Sequence, residues 1–145
     1  SRVVGVDINE ERINYVRKLG FGEVKHANEL NDERFDLGYD CVGFAESVQN
    51  IFAHVNHHLV IFGVLKGEVK FGPHLWGRGI RLESFGGRPV TDKDRELILD
   101  ALAKGLDMEC IQTHNIPFTR YDEAVERLKS QEAIKVHFYP GKDFA

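Results

Sequence analysis

Asp7 is the first residue in this chain whose type and position could do chemistry. It closes the short apolar run Arg2-Val3-Val4-Gly5-Val6-Asp7, which reads as a buried strand. An acid at the end of a parallel strand stands at the carboxyl edge of its sheet, where open α/β folds bind ligands. In dinucleotide-binding folds such a carboxylate accepts hydrogen bonds from the adenosine ribose hydroxyls. It also repels the 2′-phosphate of NADP, and so favours NAD. Position alone equally fits an aspartate that starts a turn. The glycine-rich fingerprint G-x-G-x-x-G belongs about 20 residues upstream of such an acid, and only six residues precede Asp7. Gly20-Phe21-Gly22 is followed by Lys25, and Gly77-Arg78-Gly79 by Leu82. Neither completes the motif, so the strand and helix that carry it are expected before Ser1.

Metal chemistry has little support. Catalytic zinc needs three protein ligands and one open position. Cys41 and Cys110 stand 69 positions apart, and neither has a second ligand at metal spacing. Cys41 falls on an expected buried strand, where an inert thiol is the default. His26, His54, His74, His114 and His137 are scattered and read as structural or solvated.

The elements that must position these residues alternate strand and helix. After Asp7, Asn9 can cap a helix with Glu10 and Glu11 in its first turn and Arg17 and Lys18 in its last, matching the helix dipole. Ile13, Val16 and Leu19 share a face, and Gly20 is a natural stop. Glu23 to His26 is a weak strand, Asn28 to Gly38 a loop or ragged helix, and Tyr39 to Val42 a strand ending at Gly43. Val48, Ile51, Phe52 and Val55 keep helical spacing, and Leu59 to Phe62 is the clearest strand. Ile80 to Phe85 alternates as a strand before Gly86-Gly87. Thr91 to Asp94 resembles a capping box, followed by the stripe Leu97, Ile98, Ala101 and Leu102 and a stop at Gly105. Thr119 to Asp122 repeats the cap pattern ahead of Tyr121, Ala124, Val125 and Leu128. Ile134 to Phe138 is the last strand. The order predicts an α/β fold with a mainly parallel sheet covered by helices.

The composition agrees. A length of 145 residues suits one domain. Nineteen Lys+Arg against 23 Asp+Glu give a net charge of −4, which argues against a nucleic-acid footprint. No apolar run approaches the ~20 residues of a membrane span, and no secretory leader opens the chain. Two cysteines make no disulfide framework. A cytoplasmic globular protein is expected.

Five stretches together carry a family resemblance. They are Val4-Gly5-Val6-Asp7-Ile8-Asn9 with Lys18-Leu19-Gly20; Tyr39-Asp40-Cys41-Val42-Gly43; Val60-Ile61-Phe62-Gly63-Val64; Ser84-Phe85-Gly86-Gly87; and Glu132-Ala133-Ile134-Lys135-Val136. From Arg2 to Pro140 the chain resembles the C-terminal part of the zinc-type alcohol dehydrogenases, the medium-chain dehydrogenase/reductase superfamily that includes sorbitol and threonine dehydrogenases. The resemblance implies an incomplete, doubly wound Rossmann-type parallel sheet lacking its first strand and glycine-rich loop, with residues 1–145 as a partial dinucleotide-binding domain. It implies NAD as cofactor and an alcohol or polyol as the substrate of a parent enzyme. The zinc ligands and proton relay would belong to a domain absent from this chain, so the isolated chain is expected to be inactive.

The same resemblance assigns roles. Asp7 would hold the adenosine ribose, with Arg12 reaching the same sugar. Ile8 and Val42 would sandwich the adenine. Phe62, Gly63 and Val64 would pass beneath the nicotinamide, Ser84 and Phe85 would approach it from the next strand, and Lys135 would meet the pyrophosphate. Val42 and Phe62 could equally be plain core. By the same resemblance His57-His58 would lie in an exposed loop, where relatives have a turn. In relatives, Rossmann sheets join edge to edge, which implies a homo-oligomer through the strand Ile80 to Phe85. Two other readings stay open: a stand-alone, non-catalytic nucleotide-binding or interaction module, and a zinc-free relative similar to quinone reductases.

Overall fold

The computed structural model describes residues 1–87 and 89–141, which form two compact units. One combines residues 1–24 with 90–145, and the other is residues 25–89.

The first unit opens with β1 (Val4–Asp7) and α1 (Glu10–Leu19). Asn9 caps α1 as its sequence predicts: its side-chain oxygen accepts the Arg12 N–H at 3.1 Å. Gly20 ends the helix in the left-handed region at φ 72°. β1 pairs with β2 (Glu23–His26). The expectation that β1 is buried is corrected, because Val6 is 46% exposed. α4 (Asp92–Ala103) begins with the capping box read in the sequence: the Thr91 hydroxyl accepts the Asp94 N–H, and the Asp94 carboxylate accepts the Thr91 N–H at 2.8 Å. Its stripe of Leu97, Ile98, Ala101 and Leu102 is present, yet no residue of α4 is buried.

The same unit ends with β6 (His114–Pro117), α5 (Tyr121–Lys129) and β7 (Val136–Tyr139), the two strands pairing in parallel. β6 is not evident in the sequence, since His114-Asn115-Ile116-Pro117 has one aliphatic residue. Ile116 supplies the burial that seats it, alongside Ala124 and Ala133. Phe138 stacks on Phe118 and Tyr121, at centroid distances of 5.2 and 5.7 Å. The expected cap at Thr119 is corrected. Residues Phe118–Arg120 form a 3₁₀ turn that runs into α5, and no side chain caps the helix.

The second unit is a three-stranded parallel sheet in the order β3-β4-β5, with β3 (Phe35–Asp40), β4 (Val55–Ile61) and β5 (Arg81–Ser84). α2 (Ala45–His54) connects β3 to β4, and the short α3 (Pro73–Trp76) precedes β5. Val48, Phe52, Val55, Leu59, Ile61 and Leu75 form its core. Burying a side chain of Val or Phe size stabilises by ~1.5–3 kcal/mol, so this cluster dominates the unit. The helix seats closely because β3 carries Gly38 there. A Cβ at Gly38 would lie 2.5 Å from Val55 Cγ2 and 2.8 Å from Ile51 Cγ2.

Three expectations in this unit are corrected. The strand read as Tyr39 to Val42 begins at Phe35 and ends at Asp40, so Cys41 is an exposed loop residue and not a buried strand thiol. His57-His58 is no loop but the middle of β4, which buries Val55 and Leu59 on either side of the pair. His57 lies 3.6 Å from Asp36 and His58 lies 3.2 Å from Glu83, so cross-strand carboxylates accommodate the polar half of the strand. Val55 starts β4 and does not extend α2.

The parallel pairing of β3-β4-β5 and β6-β7 matches the expected α/β class. The strands form three small sheets, with β1-β2 as the third, and not one continuous sheet.

Candidate functional site

In the second unit the carboxyl ends of the three strands come level. Asp40 lies opposite Ile61, and Ile61 opposite Ser84. The residues that follow each strand end therefore share one edge. They include Val42, Phe62, Gly63, Val64 and Phe85, with Ser84 closing β5.

Asp40 builds this edge. It is fully buried, and a buried carboxylate must be hydrogen-bonded to be tolerated. One carboxylate oxygen accepts the Gly43 N–H at 2.8 Å and the other accepts the Ser47 hydroxyl at 2.8 Å. Its carbonyl accepts the N–H groups of Phe62 and Gly63, at 2.8 and 2.9 Å. One residue thus joins the loop after β3, the start of α2 and the loop after β4.

Two glycines allow the loops to touch. Gly43 has φ 81°, and a Cβ on it would lie 2.2 Å from the Val64 carbonyl oxygen. A Cβ on Gly63 would lie 2.4 Å from the Gly43 nitrogen. Both collisions are with backbone, which cannot swing aside. The Lys66 N–H donates to the Gly43 carbonyl at 2.6 Å, and the Ala45 N–H donates to the Lys66 carbonyl at 3.2 Å. The Lys66 ammonium sits 5.2 Å from the centroid of the Phe44 ring.

The reading of Val42 and Phe62 as plain core is excluded. They are 56% and 57% exposed, and Val64 is 80% exposed. The rings of Phe62 and Phe85 lie 5.0 Å apart and tilted by 47°. The Phe85 N–H donates to the Ile61 carbonyl at 2.9 Å, which ties the third strand end to the second. The edge is an apolar platform on a backbone that hydrogen bonds hold in place. Its side chains are displayed and not packed inward.

The first unit carries Asp7, Ile8, Arg12 and Lys135. One oxygen of Asp7 accepts the N–H groups of both Ile8 and Asn9, at 2.7 and 2.9 Å. Asp7 therefore does start a turn, and the turn occupies only that oxygen. Ile8 is 76% exposed beside it. The Arg12 Nε is buried without a hydrogen-bond partner, an uncompensated donor of the kind that calls for an explanation. Asn9 Nδ2 donates to Gln131 at 2.7 Å, so the turn before β7 meets the cap of α1. Lys135 lies four residues beyond, exposed, with its carbonyl accepting the Thr113 and His114 N–H groups at 3.1 and 3.3 Å.

Sequence reasoning missed Asp40, Ser47 and Lys66 as parts of the platform. Asp40 offered a signal, since it closes a strand as Asp7 does. Among the described residues no three His, Cys, Asp or Glu side chains gather as a metal-binding group, so nothing described here fits a zinc ion. No helix is long and apolar enough to cross a membrane among them.

No protein-family model matches the chain. Solved structures do match in fold. The (2R,3R)-butanediol dehydrogenase of Bacillus subtilis superposes with a TM-score of 0.79 at 14% identity, over 97% of this chain and 44% of that one. The B. subtilis protein yhfP, solved with NAD bound, gives 0.71 at 16% identity over 94% and 46%. An alcohol dehydrogenase zinc-binding domain protein from Burkholderia ambifaria gives 0.80 at 13% identity over 97% and 42%. The chain spans less than half the length of each. The resemblance to zinc-type alcohol dehydrogenases read in the sequence thus holds for the fold: nearly the whole chain has the architecture of one part of these proteins.

Proposed function

We propose that this chain is the NAD-binding portion of an oxidoreductase that transfers hydride between an alcohol or polyol and NAD. The observation that carries the reading is the platform of level strand ends, with Val42, Phe62, Val64 and Phe85 held over a hydrogen-bonded backbone. In this reading Phe62, Gly63 and Val64 pass beneath the nicotinamide, with Ser84 and Phe85 beside it. Val42 and Ile8 contact the adenine. Asp7 receives the ribose hydroxyls on the oxygen its turn leaves open, Arg12 reaches the same sugar, and Lys135 meets the pyrophosphate. NAD supplies the hydride acceptor chemistry, and the chain binds and orients it. A fold-level match to a protein solved with NAD bound supports this choice of cofactor.

Zinc and the alcohol pocket belong, in this proposal, to polypeptide outside these 145 residues, and the chain alone is inactive. β5 is the edge strand of its sheet with all four residues exposed, which supports the proposed homo-oligomer through Ile80 to Phe85.

Titration of the chain with NADH, followed by cofactor fluorescence, tests the reading. Saturable binding is expected, with NADPH weaker. Asp7→Gly should weaken NADH at least about tenfold, since one hydrogen bond to a charged group is worth ~1.5 kcal/mol or more, and should narrow the preference over NADPH. An Asp7→Gly variant with unchanged affinities overturns it, whereas no binding by the chain alone fits a site that lacks its glycine-rich loop.

A further inference from the structure

At the opposite, amino end of the β3-β4-β5 sheet lies an open pocket of about 540 Å³, walled by Arg34, Gln49, Asn56, His74, Leu75 and Arg78. Arg34 immediately precedes β3, Asn56 is the second residue of β4, and Arg78 lies three residues before β5. β3 has six residues, which at ~3.3 Å each separates this pocket from the carboxyl edge by about 17 Å.

Three basic side chains and two amides line it, and among the described residues no carboxylate does. Elsewhere Arg2, Lys25, Arg81 and Arg127 each pair with a carboxylate. Among the described residues Arg34 meets only the Glu33 carbonyl, at 3.5 Å. Arg78 donates to the carbonyls of Phe52, at 2.8 Å, and Val55, which fixes its guanidinium but leaves its charge uncompensated. The His74 ring is packed against Gly72, where a Cβ would lie 2.9 Å from Nδ1. Gln49 is held at both ends of its amide by the Lys70 backbone, at 2.9 and 3.0 Å. Gln49 and Arg78 are therefore held in place by the backbone, and the floor at Leu75 is buried.

We propose that this pocket binds a small oxyanion of two or more negative charges, of the phosphate-monoester or dicarboxylate class. Guanidinium groups match the paired oxygens of either, and an anion there offsets the like charges of Arg34 and Arg78. The site is separate from the proposed cofactor platform, and NADH binding at the carboxyl edge neither requires it nor displaces its ligand.

The test is titration of the chain with inorganic phosphate, methyl phosphate and malonate against chloride at constant ionic strength. Trp76, the only tryptophan and adjacent to Leu75, reports by fluorescence, and amide shifts report by NMR. Saturable changes confined to residues 34, 49–56 and 74–78 are expected, with a rise in Tm of about 4 °C or more at saturation. A response to methyl phosphate alone assigns the phosphate class, and a response to malonate alone the dicarboxylate class. Arg34→Gln and His74→Gln should each weaken binding about tenfold. Arg34 is exposed and bonds only to its neighbour's carbonyl, so its variant should fold even if one at Arg78 does not. No saturation with any of the three anions, changes scattered over the surface, or binding unaltered in both variants overturns the proposal.

Discussion

Gly43→Ala should be far more costly than its backbone angle accounts for. A non-glycine residue in the left-handed region costs ~1–2 kcal/mol, and Gly43 has φ 81°. The added Cβ would also lie 2.2 Å from the Val64 carbonyl oxygen and 2.9 Å from its nitrogen. Ordinary contact begins near 3.4 Å, so the loops must part by about 1 Å. That movement loosens the Lys66 N–H to Gly43 bond of 2.6 Å and the Ala45 N–H to Lys66 bond of 3.2 Å, each worth about 1 kcal/mol. The total is about 3–4 kcal/mol. Gly79→Ala is the control. It lies in the same unit at φ 63° with nothing within 4 Å of its Cβ, so it should cost only the ~1–2 kcal/mol of backbone strain. Urea unfolding followed through Trp76, also in that unit, measures both. With a slope near 1–2 kcal/mol per molar, a difference of about 2 kcal/mol separates the two midpoints by about 1–2 M. Equal midpoints would falsify the claim that the two loops touch through their backbones.

Three further outcomes follow from named contacts. Asp40→Ala leaves the Gly43 N–H and the Ser47 hydroxyl without their acceptor and should cost about 3–5 kcal/mol in the same urea assay, against about 1 kcal/mol for Ser47→Ala; a smaller loss for Asp40→Ala than for Ser47→Ala would remove the aspartate from its organising role. Desolvation pushes the Glu123 carboxyl up, but hydrogen bonds from Arg127 and Arg120, and then their charges, hold it below its ordinary value of 4.5. Its contribution to stability is therefore complete above that value and lost as the pH falls through the lower folded one. Glu123→Gln should unfold more easily than the parent at pH 7, with the gap closing towards pH 3, and a gap independent of pH in urea melts would refute this. Leu82→Lys on the exposed edge strand β5 should shift an oligomer to monomer in light scattering at micromolar concentration; a monomeric parent, or an unchanged variant, would count against association through that edge.

What could be read from the sequence, and what could not, follows from where the local signals sit. Asn9, Thr91 with Asp94, and Gly20 act through neighbours three or four residues away, so their roles were visible in a single window. The limits of β3 were not. Phe35-Asp36-Leu37-Gly38-Tyr39-Asp40 reads as polar because its helix-facing positions are a glycine and an acid. Gly38 is there to admit Ile51 and Val55, and Asp40 to satisfy Gly43 and Ser47. Both reasons lie in other elements. The histidines of β4 were misread for the same cause, since the carboxylates that accompany them stand on β3 and β5.

The candidate site shows the same division. Asp7 closes β1 and is visible as an acid at a strand end, whereas Asp40 closes β3, a strand whose limits its sequence hides. The structure separates them by burial. Asp40 is wholly enclosed, and both of its carboxylate oxygens are used by the chain. Asp7 spends one oxygen on its own turn. A carboxylate that is fully satisfied within the chain has nothing left with which to select a ligand, and its effect is to fix the backbone that carries other groups. One with an oxygen to spare can discriminate between ligands. Asp7 is therefore where a substitution should change which nucleotide binds, and Asp40 is where it should change whether the platform exists at all.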